Sequence, residues 1–383
     1  MKFNISSKTL SQQLSAVSKV VNSKNALSIL DNFLFSLEGS TLTIIGSDQE
    51  NTMTATVEVF DPEGSGSIAI PAKRLLDMLK EVSGQPLTFY INDENNDIDI
   101  RFLNGHFNFM GINGAEFPLP EATKEDGKSM TLPAEVVRKG LEHTLFAVST
   151  ETIRPVMTGV FWDVCPVNEA GVAQPGITFV ASDTHKLVRY VNTEVDPGLT
   201  TSFIMAPKPA AILRSLIGKE EADITIEMDD KSATFTLGTF RLSCRFINGR
   251  YPNYNRVIPQ DNPFELTIDR VSLLTAMRRV ALFASSASSL VRLNIRSNEV
   301  LLATQDLDYS ISAEERLECE YQGNSMTIGF NVVYMIEVLN NMQADTVVVK
   351  LSDPARPGVF VPQVNLEGED LLVLLMPMQV MDY

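Results

Sequence analysis

The chain has 383 residues, 44% of them hydrophobic, and a formal net charge of −17. Such a length accommodates roughly two or three domains, each able to bury a core of its own. It holds no apolar run long enough to span a bilayer, and its acidic balance excludes general nucleic-acid binding unless positive charge is gathered on one surface.

Met1-Lys2-Phe3 leads straight into a strand-like alternation, so no signal peptide is expected. Phe3-Asn4-Ile5 is the first strand, and Ser6 or Ser7 can cap a helix carrying Leu10, Leu14, Val17 and Val21. Strands follow at 34–37, 42–45 and 53–59, joined by turns such as Glu38-Gly39-Ser40. Residues 67–91 then read as strand, helix, strand. The apolar run 68–70 breaks at Pro71, and Leu75, Leu76, Leu79 and Val82 fall at helical spacing among charged residues. Gly84 and Pro86 close that helix, and 87–91 resume as a strand. Two more strands, 98–102 and 107–110, precede Phe117-Pro118-Leu119-Pro120 and a linker at 121–128.

The order then repeats. Residues 130–132 are a strand, Val137, Leu141, Leu145 and Val148 mark a helix, and strands follow at 158–162, 178–181 and 187–191. Residues 166–175 interrupt this set as a solvated loop. Residues 202–227 repeat the strand–helix–strand unit around Pro207, Ile212, Leu213, Leu216 and Ile217, with one more strand at 233–237. A third copy begins at 264–268, with helix positions Leu273, Leu274, Met277, Val280 and Ala281 and strands at 291–295, 300–303 and 309–313. Its own strand–helix–strand unit covers 325–351, with Val332, Val333, Ile336 and Leu339 on the helix, and 371–375 is the last strand. The unit recurs at intervals of about 120–140 residues, the size of a domain rather than of a solenoid repeat. An aspartate after the third strand, at Asp48, Asp183 and Asp306, sets the register of the copies. The expected domains are 1–126, 127–261 and 262–383, each α+β with two helices and antiparallel sheets.

Charge is partitioned between the elements. The six expected helices, 7–24, 72–82, 133–148, 208–217, 270–285 and 331–342, hold thirteen basic residues against five acidic ones. That is a net +8 within a chain of −17, which leaves −25 for everything else. Helices that face one way would present a basic surface inside an acidic protein, suited to phosphate backbone and indifferent to base sequence.

No catalytic or metal constellation competes with this. His106, His143 and His185 are the only histidines and lack metal spacing. Cys165, Cys244 and Cys319 are odd in number and match no metal or redox motif, as expected of buried free thiols in a reducing cytoplasm. Asp183 beside His185 has no serine motif or phosphate loop to support it, so Asp183 reads as a turn residue. The remaining rival is a threefold interaction scaffold that never encircles DNA, which leaves the basic helices unexplained.

Several motifs, in order along the repeat, resemble one family. They are Ser182-Asp183-Thr184-His185-Lys186-Leu187, Gly249-Arg250-Tyr251-Pro252-Asn253-Tyr254, Arg256-Val257-Ile258-Pro259, Ile328-Gly329-Phe330-Asn331 and Met376-Pro377-Met378. The chain resembles the bacterial sliding clamps, the β subunits of replicative DNA polymerase III, over its whole length. The resemblance implies a DNA-clamp fold, a homodimer joined head to tail as a ring, duplex DNA in the hole, no catalytic activity and no cofactor or metal. It also implies a cytoplasmic protein, with no membrane contact, that serves the replicative polymerase, the clamp loader and repair polymerases through short linear peptides. The charge partition itself, on such a ring, makes Lys24, Lys73, Arg74, Arg138, Lys139, Lys208, Arg278 and Arg279 the expected phosphate contacts on the basic helices. The peptide groove matches Met157, Thr184, His185, Lys186, Leu187, Pro252, Arg256, Val257, Gly358, Leu374, Met376, Pro377 and Met378. Methionine, unbranched and polarizable, suits a groove with several ligands. Phe107 and Phe109 match one side of the dimer interface, and Leu282 and Phe283 the other. Two departures stand out: Thr184-His185-Lys186 replaces the usual Gly-His-Arg, and Gln379 follows Met-Pro-Met where arginine is common.

Overall fold

The computed structural model describes residues 1–22, 24–82, 84–119, 127–167, 171–218 and 223–380. Most of the expected linker 121–128, part of the loop 166–175 and the tail 381–383 lie outside the described residues. Among the described residues six α-helices form, two per repeat: α1 (Ser7–Val17), α2 (Ala72–Glu81), α3 (Ala134–Thr144), α4 (Pro207–Leu216), α5 (Arg270–Ala281) and α6 (Val332–Asn341). None is long and apolar enough to cross a membrane.

Common spacing shows why the second helix of each repeat forms. α2 buries Ala72, Leu75, Met78 and Leu79, and α6 buries Val332, Met335, Val338 and Leu339 at the same offsets. Pro207 opens α4, where a missing N–H removes no helical bond. Asn331 accepts from the Val333 and Tyr334 N–H groups to cap α6, and Asp269 accepts from the Ser272 N–H to cap α5. Arg270 donates to the carbonyls of Leu339 and Ala344 and thereby ties the start of α5 to the end of α6.

The first helix of each repeat is shorter than its apolar spacing suggests. α1 stops at Val17, because Lys19 and Val20 donate three residues back, to Ala16 and Val17. α5 stops at Ala281, and Leu282 and Phe283 bond to Arg279 and Val280 in the same way. α3 ends at Thr144 and continues as the 3-10 turn Leu145–Ala147. The strand expected at 158–162 is displaced to Val160–Val164 by a 3-10 turn, Pro155–Thr158.

The described chain forms two compact units. One comprises Met1–Glu135 with Lys208–Phe246, the other Val136–Pro207 with Ile247–Tyr383. In the first, a five-stranded sheet runs Phe60–Glu63, Lys2–Ser6, Pro86–Asn92, Asp97–Phe102, Gly105–Met110. Its nine-stranded sheet joins five strands of the first repeat to four of the second through Asn51–Glu58 against Phe240–Arg245, with Ala55 opposite Phe240. In the second unit a nine-stranded sheet joins the second and third repeats through Lys186–Asn192 against Glu369–Leu375. A four-stranded sheet there runs Ile311–Glu318, Glu299–Asp306, Leu290–Arg296, Met326–Asn331. Every described pairing between strands is antiparallel. The compact units therefore cut across the repeats, because each seam is a continuous ladder of main-chain bonds.

Candidate functional site

In the second unit the motifs converge. Leu187 and Leu374 sit in one apolar cluster with Val180, Ile204, Tyr251, Ile258, Val359 and Leu372, and Val156, Phe161 and Tyr254 pack against it. Phe161 stacks on Tyr251 with ring centroids 4.7 Å apart. The Tyr254 hydroxyl donates to Asp163 at 3.3 Å; burial, with Asp163 beside it, pushes the phenol up to about 12, and burial raises the Asp163 carboxyl too. Of the expected groove residues, Met157, Leu187, Gly358 and Leu374 are buried. Thr184, His185, Pro252, Arg256, Val257 and Met376 are exposed, and Pro377 and Met378 half-buried.

The terminal segment is held on two sides. The Met376 N–H donates to the His185 carbonyl and the Met378 N–H to the Gly329 carbonyl, both at 2.8 Å. Glycine is required at 329: a Cβ there would lie 2.9 Å from the Met378 carbonyl oxygen and 2.8 Å from Leu290.

Lys186 does not serve as a rim cation. It is 5% exposed, its amine bridges Asp183 at 2.7 Å and Glu337 at 3.0 Å, and it lies 4.5 Å above the Tyr334 ring. Burial alone would lower its pKa; the two carboxylates outweigh this and raise it, so the amine stays charged. His185 stacks on the same tyrosine at 5.6 Å. Tyr334 and Glu337 thus contact the motif residues His185 and Lys186 although neither belongs to a motif. Glu337 did leave a trace in the sequence, as the lone charge of the one helix without basic residues. Thr184 adopts φ +79°, a conformation that glycine takes freely and that costs a β-branched residue about 1–3 kcal/mol.

The basic positions divide into two groups. Lys24, Lys73 and Arg74 are exposed and make no ion pair among the described residues, although Lys24 lies beyond the end of α1. Arg278 is exposed and donates to Asn340 at 2.7 Å. Arg138 pairs with Glu142 at 2.7 Å, and Arg279 with Glu315 on the strand Ile311–Glu318. Lys139 and Lys208 are spent internally. Lys139 pairs with Glu369 at 2.6 Å; Lys208 meets Asp48 at 2.5 Å and donates to the Val20 carbonyl and Asn22 at 2.6 Å each. Neither amine is free for phosphate.

The interface positions occupy sheet and helix ends. Phe107 and Phe109 lie half-buried on the edge strand Gly105–Met110, Phe107 stacked on Phe102 at 5.0 Å. Leu282 and Phe283 follow α5 at 77% and 39% exposure, too open for a core. The three aspartates build one turn: Asp48, Asp183 and Asp306 each accept two main-chain N–H bonds from residues two and three ahead. Cys165 and Cys244 are buried and Cys319 half-buried, all with free thiols.

Known proteins share this arrangement throughout. Family models for the N-terminal, central and C-terminal domains of the DNA polymerase III beta subunit match residues 1–121, 131–253 and 255–379. The chain is 26% identical to the beta sliding clamp of Caulobacter vibrioides over 388 residues, covering 99% of this chain and 100% of that one. It is 26% identical to the beta sliding clamp of Staphylococcus aureus over 392 residues, 99% of each. Among solved structures, the sliding clamp of Bartonella birtlesii bound to griselimycin superposes with a TM-score of 0.91 at 25% identity. The beta subunit from Streptococcus pyogenes shares the fold with a TM-score of 0.92 at 19% identity. Each covers 99% of this chain and 100% of its own. Three domain models in chain order, over an antiparallel α+β triplication that carries the motifs, leave one assignment: the chain belongs to the DNA polymerase III beta subunit family, the non-catalytic sliding clamps of DNA replication.

Proposed function

We infer that two copies of this chain close head to tail into a ring around duplex DNA, with the repeats 1–126, 127–261 and 262–383 as its domains. The sheet seams carry this reading. The first repeat lends Asn51–Glu58 to Phe240–Arg245 of the second, and the second lends Lys186–Asn192 to Glu369–Leu375 of the third. The matching strands at the two ends of the series are Ile311–Glu318 and Gly105–Met110, and each ends its sheet. An open edge of that length calls for a partner strand, and the order of the repeats makes the partner a second copy. Such a contact is heterologous and must close on itself to avoid filaments. Phe107 and Phe109 would meet Leu282 and Phe283 there.

Inside the ring, Lys24, Arg74 and Arg278 supply positive charge for phosphate, with Arg138 and Arg279 able to exchange their half-buried carboxylate partners, Glu142 and Glu315, for it. Contacts of this kind stay loose and wet, as sliding demands. The groove takes short linear peptides of the replicative polymerase, the clamp loader and repair polymerases. Their large apolar side chains lie against Pro252, Val257 and Met376, and their polar groups meet His185 and Arg256. Micromolar affinity for such a segment corresponds to roughly −8 kcal/mol. The ring works in the cytoplasm, on the chromosome. Reversing Lys24, Arg74 and Arg278 to glutamate should weaken retention on DNA without lowering the melting temperature. Unchanged retention would exclude these residues from the channel.

A further inference from the structure

Twice along the chain, the aspartate turn of one repeat is tied to the second helix of the next. In the first repeat Asp48 holds its own turn with Oδ1 and receives the Lys208 amine on Oδ2 at 2.5 Å. Lys208 is the second residue of α4, and its remaining hydrogens go to the Val20 carbonyl and Asn22 just beyond α1. In the second repeat the turn of Asp183 is joined through Lys186 to Glu337 of α6. The third turn is built alike and is left open. Asp306 Oδ1 accepts from Asp308 at 3.0 Å and Tyr309 at 3.3 Å, yet its other oxygen has no partner among the described residues, although the side chain is 6% exposed.

One second helix is also left over. α2 and α4 both bury their fourth and seventh residues, Leu75 and Met78 in one and Ala210 and Leu213 in the other, and Lys73 stands second in α2 as Lys208 does in α4. Lys73 is exposed and forms no ion pair among the described residues. We propose that Lys73 of one copy and Asp306 of the next form the ion pair that latches each junction of the ring, as Lys208 and Asp48 latch the first repeat to the second. This rests on the ring reading above, and it withdraws Lys73 from the phosphate-facing set.

The match extends to the lysine's other acceptors. Val20 and Asn22 lie thirteen and fifteen residues after the start of α1; the residues at those offsets from the start of α5 are Phe283 and Ser285. An amine brought to Asp306 would therefore find the Phe283 carbonyl and Ser285 beside it. Val20, whose carbonyl takes the Lys208 amine, is 0% exposed, whereas Phe283 is open. A carboxylate as sequestered as Asp306 is costly to leave uncompensated once a second surface excludes water.

Sedimentation and subunit exchange of charge variants test the latch. Lys73→Glu should raise the dimer dissociation constant about tenfold per junction, or about a hundredfold for a ring with two. Asp306→Asn should weaken it likewise while keeping the oxygen that holds the turn. Lys73→Glu with Asp306→Lys should recover at least tenfold over Lys73→Glu. In the double-mutant cycle of Lys73→Met with Asp306→Asn, the pair should cost no more than the larger single loss, a coupling that survives any turn damage from Asp306→Lys. Wild-type dimerisation by Lys73→Glu, or strict additivity in the cycle, would overturn the latch. A wild-type protein that stays monomeric at micromolar concentration would instead overturn the ring.

Discussion

Truncating Leu282 and Phe283 to alanine should open the ring while leaving each copy as stable as before. Full burial of a large apolar side chain contributes about 1.5–3 kcal/mol. Leu282 is 77% exposed in the single chain, so association has about three quarters of that still to gain, roughly 1–2 kcal/mol. Phe283, at 39% exposure, adds about 1 kcal/mol. Each ring has two junctions, so the double variant loses about 4–6 kcal/mol, a factor of roughly a thousand to a few tens of thousands in the dimer dissociation constant. Both residues follow the tightened last turn of α5, where alanine makes the same main-chain bonds. Mass photometry from nanomolar to micromolar concentration, paired with thermal melts, reads both quantities. A dimer of wild-type affinity would refute the reasoning; so would a large drop in melting temperature, because it would make the pair core.

Deleting residues 376–383 should abolish binding of a short apolar peptide in a polarization titration and leave the dimer intact, whereas unchanged affinity would place the groove elsewhere. Gly329→Ala should weaken the same peptide by about tenfold, since its Cβ presses on the Met378 carbonyl oxygen and so disturbs the bond from the Met378 N–H to the carbonyl of residue 329 that holds the tail. His143 offers a pH test. Burial lowers its pKa below the ordinary 6.5, against smaller opposite pulls from the Asn341 carbonyl, Glu142 and Glu369. The unfolded chain therefore takes the proton first, so this stabilisation is whole above about pH 6.5 and is lost as pH falls through the lower folded value. The melting temperature of His143→Phe should accordingly fall less between about pH 7.5 and pH 5.5 than that of the wild type. An equal fall in both would remove His143 from the acid response.

The repeat was legible because burial leaves a periodic trace, and Leu75 and Leu79 of α2 share their spacing with Met335 and Leu339 of α6. Ion pairs leave none. A count of helix charges treated Lys139 and Lys208 like Arg74, yet Glu369 and Asp48 lie 230 and 160 residues away in sequence and claim both amines. Lys186 was legible as a motif residue, but its place over the Tyr334 ring depends on a helix of the following repeat. The strand Phe60–Glu63 escaped notice because all four residues are exposed, one is Pro62, and no apolar alternation marks a sheet edge. Gly358–Pro362 leaves little trace because glycine and proline occupy its ends and its buried residues, 358–360, run without alternation. The buried and terminal residues of the candidate site were thus readable as motifs, and its electrostatics only as structure.

The central claim is topological. A ring loaded around DNA should remain on a closed circular duplex through salt that strips ordinary phosphate contacts, and should leave once the circle is cut and its ends are free. Gel filtration of labelled protein, loaded on nicked circles and then treated with a single-cutting nuclease, measures this directly. The account predicts co-elution with the circle and loss from the linear product at the same salt. Equal retention on both forms, or loss from both as salt rises, would contradict it.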